Sequence, residues 1–168
     1  MSSAVDVVYR WHEGVSPPAS MRISQVYGYL FDDHGRVVVF QDGPDWGLPG
    51  GTPEPTDGGH VATLVREVRE EVQVEIVDPV YLGYQEVQRP GVEPYAQLRM
   101  AARITRFLAR EPDPDTGRVH VRRRCSVAEA LALLDWGRAT EEQAKAAARI
   151  ASARWRLPTG ETLVAYTD

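Results

Sequence analysis

Lysine and cysteine are almost missing from this chain. Lys145 is the one lysine among 19 basic residues, and Cys125 is the one cysteine. A lone cysteine excludes an intramolecular disulfide and any cysteine-rich zinc site. No apolar run reaches the roughly eighteen residues that a membrane helix needs. The opening MSSAVDVVYRWHEG lacks the basic-then-apolar order of a secretion signal. The expected compartment is therefore the cytoplasm, with no membrane contact. A net charge of −5 opposes non-specific nucleic-acid binding, because an acidic surface repels a polyanion. The chain has no G-x-x-x-x-G-K-[ST], since Lys145 is far from the glycine-rich segment, and that segment has no Gly-x-Gly-x-x-Gly.

What is present is enough for one core: 168 residues, 43% of them apolar. Residues 1–20 read as a lead-in, 21–156 as a single domain and 157–168 as a surface tail. Ile23 to Phe31 and Arg36 to Gln41 are β-forming runs around Asp32-Asp-His-Gly35, which predicts a hairpin. Residues 42–59 are dense in glycine and proline and read as a tightly bent loop. Beyond it, Val61, Val65, Val68 and Val72, with Leu64 beside them, recur at helical spacing and predict a buried stripe. Asp78-Pro79 ends that segment, and Val80 to Gln88 reads as a strand before the Pro90-Gly91 turn. Gln97 to Leu108 fits both periods; the turn before it favours a strand. Residues 111–117 form a loop, and Val119 to Cys125 a short strand. Ser126-Val-Ala-Glu129 and Thr140-Glu-Glu-Gln143 are capping boxes ahead of two closing helices, the second reaching about Trp155. The class is α/β.

The chemistry concentrates in Gly50 to Val74. On a helical wheel centred on the valines, Glu67, Glu71 and Glu70 gather on one flank, and Arg66 stands one turn before Glu70. Glu67 and Glu71 are like charges at i, i+4, and residues 73–76 supply no cation to relieve them. A hard divalent ion would do so, and an all-oxygen ligand set points to Mg²⁺ or Mn²⁺ rather than zinc. The same acidic helix could instead be a solvated face. The preceding loop weighs against that, because glycine backbone can approach a ligand where side chains would obstruct it.

Leu48-Pro-Gly-Gly51, Glu54-Pro55 and Arg66-Glu67-Val68-Arg69-Glu70-Glu71 together resemble the signature of the Nudix hydrolases. The likeness extends over roughly residues 23–155. It departs in three places: the spacing from Gly51 to Arg66 is one residue long, Asp57 replaces a glutamate, and Gln73 replaces a glycine. The resemblance implies an α/β/α sandwich with a mixed sheet. It also implies Mg²⁺ or Mn²⁺ on Glu67, Glu70 and Glu71, with the Gly51 carbonyl, and Arg66 orienting Glu70. The implied reaction is hydrolysis of a nucleoside diphosphate linked to another moiety, the partner being a small nucleotide-like diphosphate. The alternative is a catalytically weak nucleotide-binding or regulatory module, for which Asp57 and Gln73 are the support. The sequence leaves the oligomeric state open, a homodimer included. Glu70 and Glu71 are candidate bases, and so are Glu86 and Glu93 near the 88–94 turn. Arg99, Arg103, Glu93 and Trp46 are the candidate substrate contacts, with Tyr84 and Tyr95 as further stacking aromatics. Arg122 to Arg124 read as a solvated strand or a phosphate grip.

Overall fold

The computed structural model describes residues 6–160 and 163–168. In chain order the elements are β1 (Val8–Glu13), β2 (Arg22–Phe31), β3 (Val37–Asp42), β4 (Asp45–Gly47), β5 (Gly50–Gly51) and α1 (His60–Val72). They continue with β6 (Val74–Arg89), β7 (Val92–Phe107), β8 (Val121–Cys125), α2 (Val127–Leu134), α3 (Arg138–Trp155) and β9 (Tyr166–Thr167). Alternation along the strands divides the apolar side chains between two cores. Tyr29, Phe31, Val37, Val39 and Ala101 pack with α2 and α3. Leu30, Val38, Met100 and Ala102 point the other way, against Leu64, Val68 and Val72 of α1. The sheet runs β1-β6-β7-β2-β3-β8-β9, with β4 on β3 and β5 on β2. The β2–β7 ladder is parallel and its neighbours are antiparallel, so this is the mixed-sheet α/β/α sandwich expected.

Several local expectations change. The strand assigned from Val80 begins at Val74, because Asp78-Pro79 forms a bulge and not a stop. Asp78 sits at φ 52°. Its carboxylate accepts Arg154 Nε at 2.6 Å and Trp155 Nε1 at 2.8 Å, which pins the end of α3 to the bulge. The Ser126 cap holds: its Oγ accepts the Glu129 N–H at 3.2 Å. Thr140 does not cap. Gly137 does, at φ 82°, and Thr140 lies buried in the first turn of α3. Residues read as lead-in supply β1, paired with β6, and residues read as tail supply β9, paired with β8. The Asp168 carboxylate receives Arg122 Nε at 2.8 Å and Nη2 at 2.5 Å.

Gln73 is the left-handed cap of α1, with φ 47° and ψ 58°. Its Nε2 donates to the Glu70 carbonyl at 2.6 Å, and its Oε1 accepts Arg110 Nη1. Buried Arg122 donates to the carbonyls of Val72 and Gln73 at 2.7 and 3.1 Å. One guanidinium thus meets the negative end of the helix dipole, and a second holds the Gln73 side chain, where a glycine would ordinarily end the turn. Arg122 to Arg124 are neither solvated nor free for phosphate: Arg123 pairs with Glu129, and Arg124 stacks on Phe107 and Tyr166.

The buried stripe of α1 is Thr63, Leu64, Glu67, Val68 and Val72. Val61 and Val65 are 45% and 44% exposed. The buried face is therefore turned about 60° from the valine axis, toward the glutamates. Leu64→Ala should cost about 2–5 kcal/mol by chemical denaturation, whereas Val65→Ala should stay within about 0.5 kcal/mol. Equal losses would restore the valine stripe.

Candidate active site

The site begins with a strand that has no side chains. Gly51 pairs with Val26 and Gly50 with Tyr27, so β5 lies flat on β2. Gly50 sits at φ 145°, and a Cβ there would stand 2.0 Å from the Val26 carbonyl oxygen. A Cβ on Gly51 would fall 2.4 Å from the Glu67 carboxylate carbon, which shows how closely α1 rests on this strand. The next glutamate down the same face, Glu71, accepts the Gly50 N–H on Oε2 at 2.9 Å.

Both carboxylates are costly as anions here. Burial pushes Glu71 up to about 8; the Gly50 N–H opposes this, and the charges of Glu67, Asp113 and Asp42 add to it. Burial also raises Glu67, against the pull of Arg66. Glu70 is more open and stands on the Arg66 side of the helix, with its side chain 29% exposed.

Arg66 organises that side. Its Nε and Nη2 grip the two oxygens of Asp57 at 2.9 and 3.0 Å, and Nη2 also reaches the Thr52 carbonyl at 3.0 Å. Its Nη1 donates to Glu67 at 3.0 Å and to Glu70 at 3.2 Å. Sequence spacing found the Glu70 pair but not the other two carboxylates. Asp57 also accepts Thr63 Oγ1 at 2.8 Å and the Glu54 N–H at 2.9 Å, and the Arg66 guanidinium holds it well below the usual carboxylate range.

Glu67, Glu71 and Gly51 line a cavity of about 330 Å³ together with Tyr27, Trp136 and Asp115. Asp115 rides on the 111–117 loop. That loop is tied by Asp113, whose Oδ1 accepts the Asp115 N–H at 2.7 Å while Oδ2 lies 3.2 Å from His120 Nε2. Among the described residues no three acidic, histidine or cysteine side chains already stand in a coordinating arrangement. The donor set nonetheless suits a hard divalent cation: oxygen only, one buried and one half-buried carboxylate, and a bare glycine cradle beside Glu67.

The sequence candidates are not all brought together. Arg99 is 1% exposed and lines an adjacent cavity bounded by Tyr27 and Trp136. Arg103 pairs with Asp33 at 3.0 Å and lines neither of these cavities. Trp46 packs against the core on the α2–α3 side. Glu93 is exposed on the β6–β7 hairpin, and Glu86 pairs with His12 at 2.8 Å. Tyr84 stacks on His12, and Tyr95 lies between Arg22 and Arg89. The cavity aromatics are Tyr27, Phe40 and Trp136, which no local pattern singled out as site residues.

Solved structures share this fold. A Nudix hydrolase from Nitrosomonas europaea gives a TM-score of 0.57 at 18% identity, covering 74% of this chain and 87% of that one. A MutT protein from Bacillus halodurans gives 0.53 at 19%, covering 86% and 97%. The pyrophosphohydrolase BsRppH of Bacillus subtilis gives 0.52 at 19%; the match covers 60% of this chain and 62% of that protein's length. No curated protein sequence matches. The family model described as NUDIX domain matches residues 21–158, so the chain belongs to the Nudix hydrolase family.

Proposed function

We infer that the chain hydrolyses a phosphoric anhydride in a nucleotide-like substrate, using a divalent cation of the Mg²⁺ or Mn²⁺ type. Nudix hydrolases generally use divalent metal ions, and the observation that carries the reading here is the pair Glu67–Glu71. Glu67 is buried and Glu71 half-buried over a glycine strand, and their charge is incompletely answered by protein. Glu67, Glu70 and Glu71 would hold the cation, with the Gly51 carbonyl beside them. Bound there, it would offset anhydride charge and acidify a water.

The chain's own residues do the rest. The Gly50 N–H fixes Glu71, and Arg66 fixes Glu67 and Glu70, a positioning role that also anchors the loop through Asp57. Of the carboxylates outside α1, Glu54 and Asp115 line the cavity; Glu54 pairs with Arg66 at 3.6 Å, which leaves Asp115 a better proton acceptor than Glu86 or Glu93. The departures that favour a non-catalytic module lose weight, because Asp57 is paired with Arg66 and Gln73 is capped.

Three outcomes test this reading. Glu71 holds its proton more tightly folded than unfolded, so stability without metal falls as pH rises from the ordinary carboxylate range to about 8. Added Mg²⁺ should therefore raise the Tm more at the top of that window than at the bottom. Glu71→Gln should flatten this dependence while cutting turnover on the order of a hundredfold. Wild-type turnover at limiting Mg²⁺ would remove Glu71 from the metal site. Gly51→Ala should fold, since the Glu67 carboxylate can swing aside, but should need on the order of tenfold more Mg²⁺ for half-maximal rate; an unchanged requirement would place the metal elsewhere. Asp115→Asn should lower kcat about a hundredfold with little change in KM, and an unaltered kcat would exclude it as the base. A panel of nucleoside diphosphate derivatives and triphosphates, followed by phosphate release, supplies the substrate for all three.

A further inference from the structure

Residues 108–120, which join β7 to β8, form neither helix nor strand, yet they carry Asp115 to the cavity wall. Electrostatics works against that placement. The charge of Asp115 adds to the cost of ionising Glu67, and the charges of Asp113 and Asp42 add to that of Glu71. A loop that brings carboxylates toward others of the same sign moves away unless something fixes it.

The fixing is done by two polar residues. Asp113 and His120 are each 5% exposed, and every residue between them is exposed. A buried carboxylate needs its lone pairs answered, and the loop answers them itself. Asp113 Oδ1 accepts the N–H of Asp115 at 2.7 Å and that of Thr116 at 3.3 Å, while Oδ2 lies 3.2 Å from His120 Nε2. An ionised carboxylate only accepts, so Nε2 carries the proton in this pair. The backbone closes the same turn: the Asp113 N–H donates to the Arg118 carbonyl at 2.8 Å, and the Asp113 carbonyl accepts the Gly117 N–H at 2.7 Å. Asp115 therefore rides on a turn wound round one carboxylate, and one imidazole holds that carboxylate.

His120 is itself held from several elements. Its ring meets the edge of Phe40, which lines the cavity, with centroids 5.3 Å apart. Its Nδ1 faces Asp42 of β3 at 3.8 Å, and Asp42 also pairs with Arg118. The His120 carbonyl accepts Arg110 Nη2, while Arg110 Nη1 donates to Gln73 at the end of α1. The imidazole thus ties the loop to β3, and Arg110 ties the same residue to the helix that bears Glu67, Glu70 and Glu71. The side chain is 4% exposed and stands behind the cavity wall, out of reach of a substrate.

We propose that His120 is a positioning residue for proton transfer: by holding Asp113 it sets where Asp115 stands relative to the α1 carboxylates. This rests on reading the cavity as hydrolytic, with Asp115 as proton acceptor. A carboxylate that takes a proton from water must lie within hydrogen-bond reach of it, and a misplacement of roughly 1 Å can cost on the order of a hundredfold in rate.

Two substitutions separate the bond from the bulk. His120→Phe keeps a ring against Phe40 but leaves Asp113 without its donor, whereas His120→Gln keeps an N–H near the place of Nε2. Tryptic cleavage at the Arg118–Val119 bond, followed by mass spectrometry without metal or substrate, reads the loop directly. It should be about tenfold faster in His120→Phe than in the wild type, and close to wild type in His120→Gln. With the substrate that the nucleotide panel supplies, His120→Phe should lower kcat about tenfold or more, with KM and the Mg²⁺ requirement little changed. His120→Gln should recover most of that loss. In an Asp115→Asn background His120→Phe should cost nothing further, because the two residues act as a unit. Where phenylalanine prevents folding, Asp113→Ala takes its place with the same expectations. Unchanged cleavage in His120→Phe, equal losses for Phe and Gln, or losses that multiply in the double variant would overturn the assignment. Faster cleavage in His120→Phe, beside an Asp115→Asn variant of normal kcat, would keep the clasp on the loop and defeat the proton-acceptor reading alone.

Discussion

Two carboxylates pressed against a strand of glycines are the constraint on which the site depends. Burying like charges is unfavourable unless something answers them. Helix α1 cannot rotate to relieve Glu67 and Glu71, because Leu64, Val68 and Val72 on the same face are fully buried in the core. Nor can the strand retreat, since Gly50 and Gly51 are paired to β2. Core packing on one side and sheet pairing on the other thus hold the charges together. The stability that the apolar residues supply is partly offset by a local electrostatic cost, a concentration of strain typical of functional sites.

Much of the frame was legible because it is local. Hairpin residues, the Ser126 cap, the Pro90-Gly91 turn and the alternation in β7 each announce themselves within a few positions. The misread stripe of α1 shows the limit. Val61 and Val65 fit the period as well as Val68 does, and only the non-local approach of Gly50-Gly51 turns the buried face toward the glutamates. Asp78-Pro79 has the chemistry of a stop, yet inside a long hairpin the neighbouring strand continues past it and the two residues become a bulge. The acidic trio and Arg66 were readable from spacing, whereas Asp115 and Trp136 reach the cavity from a loop and a helix end far along the chain. No window on the sequence contains both halves of that arrangement.

Scarcity of lysine shapes the electrostatics. With Lys145 on an exposed helix face, every buried cationic task falls to arginine. Arg66 spreads one planar fork over three carboxylates and a carbonyl, which a single ammonium could not span. Arg122 uses its fork to join a carboxylate to a helix end. Arg99 stays charged though buried, and therefore sets the polarity of a whole chain of amides.

The departures from the family signature are explained by the same arginines. An aspartate reaches one methylene less far than a glutamate, so at position 57 the backbone itself must come nearer to Arg66. Asp57 also holds the loop in that position by accepting the Glu54 N–H. Gln73 carries a left-handed turn that glycine would adopt more readily, but glycine could offer neither its amide donor to the Glu70 carbonyl nor its oxygen to Arg110. In each case a change inside the signature is matched by a contact outside the residues it specifies. What these contacts hold in place is the set of α1 carboxylates against β5.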